Sequence, residues 1–275
     1  MNLLGRGLLI GQPIVMGILN VTPDSFYDGG QHQHTDAIQA KAGQMLAEGA
    51  TIIDVGGYSS RPGAADVAES EEQQRVLHAI ETVLKAHPEA IISVDTFRAS
   101  VARAAVQAGA LLVNDISGGQ LDAQMFATVA QLKVPYIMMH MRGTPANMKQ
   151  LTSYDNLLNE MLAYFGSRLA QLRALGVADV VIDPGFGFAK NRKQNFALLR
   201  HLAYFKQLNC LLLAGVSRKS MIWKTLDLTP ADALNGTTAL HVLALQNGAS
   251  ILRVHDVKEA MQAIELYTIT QNAEA

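Results

Sequence analysis

The sequence predicts a single (β/α)8 barrel domain over residues 1–275, a length that suits such a barrel. Three observations predict it. A helix–glycine–strand unit recurs in "AEGATIIDVGG", "QAGALLVNDISGG", "ALGVADVVIDPGFG" and "QNGASILRVHD". Eight aliphatic runs lack polar alternation, as parallel strands covered on both faces do. Every run ends in a polar residue, at the edge where such barrels carry their chemistry. An open doubly wound sheet is the alternative. It is weakened because no Gly-x-Gly-x-x-Gly opens a helix after the first strand.

The first run, "IVMGILN" (Ile14–Asn20), ends at Asn20 and enters a long loop of turn residues reaching Gly30. Asn20 is placed to contact a metal or a phosphate oxygen, since hard divalent cations take oxygen ligands. The plainer reading is a turn asparagine. The second run, "TIIDV" (Thr51–Val55), presents Asp54 and leaves through "GGYSSRPGAAD" (Gly56–Asp66), which is far more than a surface turn needs. Gly56 and Gly57 are expected to let the chain turn sharply there. The third run, "IISVDTF" (Ile91–Phe97), presents Asp95, and the fourth presents Asn114 with Asp115. The fifth, "VPYIMMHM" (Val134–Met141), presents His140.

The sixth run ends at Asp183, which Pro184 biases toward an extended backbone. The glycines of "DPGFGF" allow a ring to approach closely. The seventh, "CLLLAGVS" (Cys210–Ser217), runs into "SRKS", where alternation puts Ser217 and Lys219 on one face and Arg218 on the other. The eighth, "ILRVHD", puts Arg253 and His255 on one face. Helical patterns cover Glu72–Lys85, Arg98–Ala108, Asn156–Ala174 and Asp232–Gln246. Gly49, Gly109, Gly176 and Gly248 stop their helices in the left-handed conformation.

With 49% hydrophobic and 17% charged residues the chain can bury a sizeable core. A net charge of -2 offers no basic footprint for nucleic acid or an anionic membrane. The lone Cys210 can form no internal disulfide and no thiolate cage, which fits a reducing compartment. The opening "MNLLGRGLLIG" lacks the apolar run of a signal peptide, and no run approaches membrane-spanning length. A soluble cytoplasmic protein is expected, with no nucleic-acid or membrane partner.

Asp95, Asn114 and Asp183 come from different strands and suit a flat heterocycle, because a carboxylate accepts two parallel N–H bonds from a guanidine-like edge. Lys219 could donate to a ring carbonyl or nitrogen, or meet an anion. Arg253 and His255 both donate to anions, and barrels often bind phosphate near strands seven and eight. A zinc hydrolase built on His140, Asp183 and His255 is disfavoured, since no His-x-His pair supplies a compact ligand set.

"MGILNVTPDSF", "SVDTFR", "NDISGG", "DPGFGF", "SRKS" and "ILRVHD" occur in that order along nearly the whole chain. Together they resemble the dihydropteroate synthase family of folate biosynthesis. The resemblance implies a (β/α)8 barrel, usually dimeric, that is a pterinylmethyl transferase. It joins 6-hydroxymethyl-7,8-dihydropterin diphosphate to 4-aminobenzoate, giving 7,8-dihydropteroate and pyrophosphate, with Mg²⁺ as cofactor and sulfonamides as competitors. It implies that Asp95, Asn114, Asp183 and Lys219 hold the pterin, and that Asn20, Arg61, Arg253 and His255 hold the diphosphate, with Asn20 near Mg²⁺. Ser60, Arg61, Pro62, Phe188, Ser217 and Lys219 would form the aminobenzoate pocket. Asp95, Lys219, Arg253 and His255 would be the catalytic set. The family commonly has "GGESTRPG" where this chain has "GGYSSRPG", so Tyr58 stands for a glutamate and Ser60 for a threonine. Two rivals remain: a methyltetrahydrofolate–corrinoid methyltransferase on a similar barrel, and a pterin-binding relative without turnover.

Overall fold

The structure, a computed structural model, describes the backbone of residues 2–3, 6–7, 11–21, 31–59 and 67–273, and the side chains of 11–21, 35–59 and 67–273. Eight parallel strands close into a barrel. They are β1 (Ile14–Asn20), β2 (Ile52–Gly56), β3 (Ile92–Asp95), β4 (Leu112–Asp115), β5 (Tyr136–Met139), β6 (Val180–Asp183), β7 (Leu211–Ala214) and β8 (Ile251–Val254). Strand order follows the chain, and β8 pairs with β1 to close the ring. Asn2–Leu3 and Arg6–Gly7 pair as a short antiparallel ribbon apart from it.

The helices lie outside: α1 (Gln31–Ala47), α2 (Glu69–Ala86), α3 (Ala99–Gln107), α4 (Met125–Leu132), α5 (Leu157–Ala174), α6 (Arg192–Arg200), α7 (Ser220–Leu226), α8 (Leu234–Gln246) and α9 (Val257–Asn272). Local chemistry sets their ends. Asn156 caps α5 by accepting from Asn159 N at 3.0 Å, and Asn191 with Gln194 forms a capping box on α6. Gly49, Gly109, Gly176 and Gly248 all have positive φ, as expected of glycines that end helices. Among the described residues no helix is long and apolar enough to cross a membrane.

Strand alternation builds two cores. Outward residues such as Val15, Ile53, Val94, Val113, Tyr136, Ile182, Leu212 and Leu252 pack against the helices. Inward residues Met16, Ile52, Leu112, Ile137, Val181, Leu213 and Ile251 fill the barrel's lower half. Two positions further along β2, β4, β6 and β8 the inward set turns polar, with Asp54, Asn114, Asp183 and Arg253.

Asp115 follows the other parity. It faces the helix layer and accepts from Ser117 N at 2.7 Å, Gly119 N at 2.9 Å and Tyr136 Oη–H at 2.7 Å. Although it ends β4, it does not join the ring of strand-end residues at the mouth. Tyr136→Phe leaves one oxygen of a buried carboxylate short of a donor and should cost about 1–3 kcal/mol. Urea denaturation would read the loss; an unchanged midpoint would show that this bond is not structural.

Candidate active site

The register of the strands assembles the site. Gly56 pairs with both Asn20 and Asp95, and Asp95 pairs with Asn114, so these four positions lie side by side on the inner face. At the opposite side Met139 pairs with Asp183. A side chain on Gly56 would come within 3.5 Å of Asn20 Oδ1 and 3.6 Å of Asp95 Oδ2, so its absence leaves a gap flanked by two oxygens. Neither Gly56 nor Gly57 has positive φ. The chain does bend at Gly57 and Tyr58, as expected, and it does so without a left-handed glycine. Gly57 serves close packing, since a Cβ there would meet Val76 of α2 at 2.9 Å.

Arg253 ties three strands together. Its Nε donates to Asp54 Oδ2 at 2.6 Å and its Nη2 to Asp95 Oδ2 at 2.6 Å. Asn114 Nδ2 donates to the same Asp54 oxygen at 2.9 Å. Asp54 is fully buried, and its Oδ1 has no hydrogen-bond partner among the described residues. Burial pushes the Asp95 carboxyl up to about 7; Arg253 opposes this and the Asp54 charge adds to it. For Arg253, burial works against its charge, but Asp54 and Asp95 outweigh it and hold the guanidinium cationic.

A second cluster sits on the loop after β6. Asp183 Oδ1 accepts from Gly185 N at 2.7 Å. Burial raises the Asp183 carboxyl, while the Lys219 ammonium pulls it down. Lys219 Nζ donates to Phe186 O and lies 4.8 Å from the Phe188 ring centroid, a cation–π distance. Burial lowers Lys219 to about 8 against the pull of Asp183. Gly185 is required twice over: its φ is 71°, and a Cβ there would lie 2.2 Å from His140 O. Its freedom serves this packing.

The expected site residues divide into three groups. Asn20, Asp95, Asn114, Asp183 and Arg253 lie on inward strand positions, and Phe188 and Lys219 meet beside Asp183. Ser217 and His255 meet each other across β7 and β8: Ser217 Oγ is 3.0 Å from His255 Nδ1 and accepts from His255 N at 3.1 Å. Ser60, Arg61 and Pro62 lie outside the described residues, as does most of the loop from Asn20 to Gly30. The reason given for Lys219 is corrected. Arg218 does point away, pairing with Asp256 through Nε and Nη2 at 2.8 Å each, but residues 217–218 form a turn with Arg218 at φ 52°, not an extended strand.

His140 also departs from the expected ring. It lies beyond β5, faces the helix layer, and packs edge-on to Tyr164 with centroids 4.8 Å apart. Three residues at the site were given no role from the sequence. Asp54 was visible as a strand end, but nothing local marked it as the partner of Arg253, 199 positions away. Lys190 and Asn195 follow "DPGFGF" without a recognisable spacing; both are buried and bond to that loop.

The stem of the loop after β2 is anchored from α2 and the end of β3. Arg75 Nη1 donates to Gly57 O at 3.3 Å, and Arg98 Nη2 donates to Val67 O at 2.8 Å. Buried Glu72 accepts from Thr96 Oγ1 at 2.6 Å and pairs with Arg98. Tyr58 packs edge-on to Phe97 with centroids 5.1 Å apart, 5.5 Å from the Arg98 guanidinium. The ring that stands where the family commonly has a glutamate thus meets Arg98 through its π-face.

Asp54→Asn should move Asp95 to a lower titration midpoint, because Asp54 adds a raising charge and competes for Arg253. Carboxyl-carbon NMR of Asp95 would follow it, and an unmoved or higher midpoint would contradict the electrostatic picture.

The chain matches the pterin binding enzyme family over residues 16–255. It is 47% identical over 253 residues to the dihydropteroate synthase of Synechocystis sp., covering 91% of this chain and 87% of the relative. The crystal structure of Yersinia pestis dihydropteroate synthase with a sulfonamide drug superposes with a TM-score of 0.91 at 42% identity, covering 98% of each chain. Xanthomonas albilineans dihydropteroate synthase with 4-aminobenzoic acid gives a TM-score of 0.92 at 38% identity, covering 99% of this chain and 98% of that one. Barrel, mouth and sequence agree, and the chain belongs to the pterin-binding enzymes, within the dihydropteroate synthase family.

Proposed function

We propose that the barrel mouth joins 6-hydroxymethyl-7,8-dihydropterin diphosphate to 4-aminobenzoate, releasing pyrophosphate and giving 7,8-dihydropteroate. One observation carries this reading. Asp95, Asn114 and Asp183 stand on inward positions of three strands, within a family whose members are dihydropteroate synthases. Carboxylates in that arrangement suit the N–H-rich edge of a pterin.

The roles follow from the chemistry of each group. Asp183 and Asn114 accept from and donate to the pterin edge, and Lys219 donates to a ring acceptor. The C–O bond at the exocyclic methylene breaks, its electron pair leaving with the diphosphate. The electron-rich ring shares the positive charge that remains, and the Asp95 carboxylate beside it stabilises that charge. Arg61, Arg253 and His255 offset the charge on the departing pyrophosphate. The arylamine nitrogen then attacks the methylene and gives its proton to solvent. Arylamines are neutral at pH 7, so no strong base is needed. Ser60, Pro62, Ser217, Phe188 and the Lys219 stem supply the aminobenzoate wall.

Among the described residues no three His, Cys, Asp or Glu side chains gather as a metal cage. The oxygens of Asn20 and Asp95 beside the side-chain-free Gly56 suit a hard cation that keeps most of its water and phosphate ligands. Asn20 would hold Mg²⁺ there, with Asp95 as its neighbour. When bound, the ion supplies charge neutralisation at the diphosphate. Sulfonamides would compete at the aminobenzoate wall. A homodimer is supported by exposed Val242 and Leu243 on α8 and by Leu266 and Ile269 on α9, and a cytoplasmic setting by the free thiol of Cys210.

A coupled pyrophosphate assay tests the reaction. Release should require pterin diphosphate, 4-aminobenzoate and Mg²⁺ together; absence of release with all three present would leave a binding protein without turnover. Asp183→Ala should lower pterin diphosphate affinity at least about 100-fold, since it removes a bidentate carboxylate from a buried pocket. Calorimetry showing parental affinity would remove Asp183 from the pterin pocket.

A further inference from the structure

The loop joining β6 to α6 holds a costly shape. Gly185, Gly187 and Ala189 have φ of 71°, 82° and 49°. Glycine takes this region freely, whereas an L-residue such as alanine is disfavoured there. Ala189 is buried. A backbone of this kind persists only where its surroundings over-determine it.

Lys190 does much of that work. It is only 7% exposed, and its side chain folds back under its own loop. Nζ lies 3.1 Å from Gly185 O, 3.0 Å from Phe188 O and 3.0 Å from His140 Nδ1, with a longer approach of 3.5 Å to His140 O. An ammonium has three donors and no acceptor, so two carbonyls and one imidazole nitrogen saturate it. Burial holds His140 well below its ordinary range, which keeps the ring neutral and lets Nδ1 accept. The same loop supplies Phe186 O and the Phe188 ring to Lys219.

We propose that Lys190 is a positioning residue for the condensation: its buried ammonium pins Gly185, Phe188 and His140 together and so fixes the wall of Phe188 and Lys219 against which 4-aminobenzoate is placed. This rests on the assignment of that wall made above. The charged and titratable groups around Lys190 are His140, Asp183, Lys219 and Arg142. Burial lowers Lys190 to about 7; Asp183 opposes this, and Lys219 and Arg142 add to it. Below that pH the ammonium donates three bonds. Above it one donor and the charge are lost.

Lys190→Met keeps the apolar stem and removes the donors. At pH 6.5 its KM for 4-aminobenzoate should rise about tenfold over the parent while kcat stays within about twofold. The gap should narrow by pH 8.5, because the parent has then mostly lost the charge and one of its three donors. Asp95 titrates in both proteins, so its contribution is common to both sides of the gap. A folded variant with parental KM, or with the same gap at both pH values, would overturn the proposal. If Lys190→Met does not fold, Lys190→Gln, whose amide keeps two N–H donors, is judged by the same criterion with a smaller gap. Phe188→Ala checks the wall independently. Unchanged KM for 4-aminobenzoate in Phe188→Ala overturns the wall assignment and the proposal with it. Raised KM there with parental KM in Lys190→Met overturns the proposal alone.

Discussion

A single guanidinium between the buried Asp54 carboxylate and the partly exposed Asp95 carboxylate is the contact on which this barrel mouth depends. Asp54, within β2, and Asp95, at the end of β3, face the same interior, where their charges repel. Arg253 crosses from β8 and meets both at 2.6 Å. Such an arrangement gains little net stability, because desolvation offsets attraction, but removing one member leaves uncompensated charge in a low-dielectric interior. Its value is geometric. It links β2, β3 and β8, and through Asn114 it reaches β4. Four segments far apart in sequence thereby keep a common frame for a planar ligand.

The second half of the mouth is held by a different device. The β6–α6 loop has no strand ladder to satisfy its backbone, so side chains do it. Asp183 takes Gly185 N, Asn195 takes Gly187 N, Lys219 reaches Phe186 O, Lys190 reaches Gly185 O and Phe188 O, and Tyr154 reaches Ala189 O. Each bond satisfies a polar group that would otherwise be costly at this depth. The loop is consequently rigid where an aromatic wall has to stand. On the opposite rim, Arg75, Arg98 and Tyr58 brace the two ends of the loop after β2, and Arg98 follows Asp95 by three positions. The segment that carries a central carboxylate also carries that brace.

Much of this was legible in the chain. Unbroken aliphatic runs, glycine-terminated helices and polar strand ends have local causes: burial on both faces, the left-handed stop and the parity of side chains. They announced the eight strands, the active edge and the inward placement of Asp95, Asn114, Asp183 and Arg253. Local rules misled where a residue's neighbour decides its direction. Asp115 and His140 end their strands as convincingly as Asn114 does, yet one step of parity turns them toward the helices. Gly56 and Gly57 mark the bend after β2 as their sequence suggests, but the gap Gly56 leaves between Asn20 and Asp95 and the packing of Gly57 on Val76 are set by neighbours in space.

The sequence alone determined the fold class, the family and the set of polar groups available at the mouth, because these follow from periodicity, burial and ordered motifs. Tertiary structure decided which groups meet. Asp54 with Arg253, Ser217 with His255, and Lys190 with His140 are pairs made by ring closure and loop packing. No one-dimensional spacing encodes them, since the energy of a buried charge depends on what surrounds it in space.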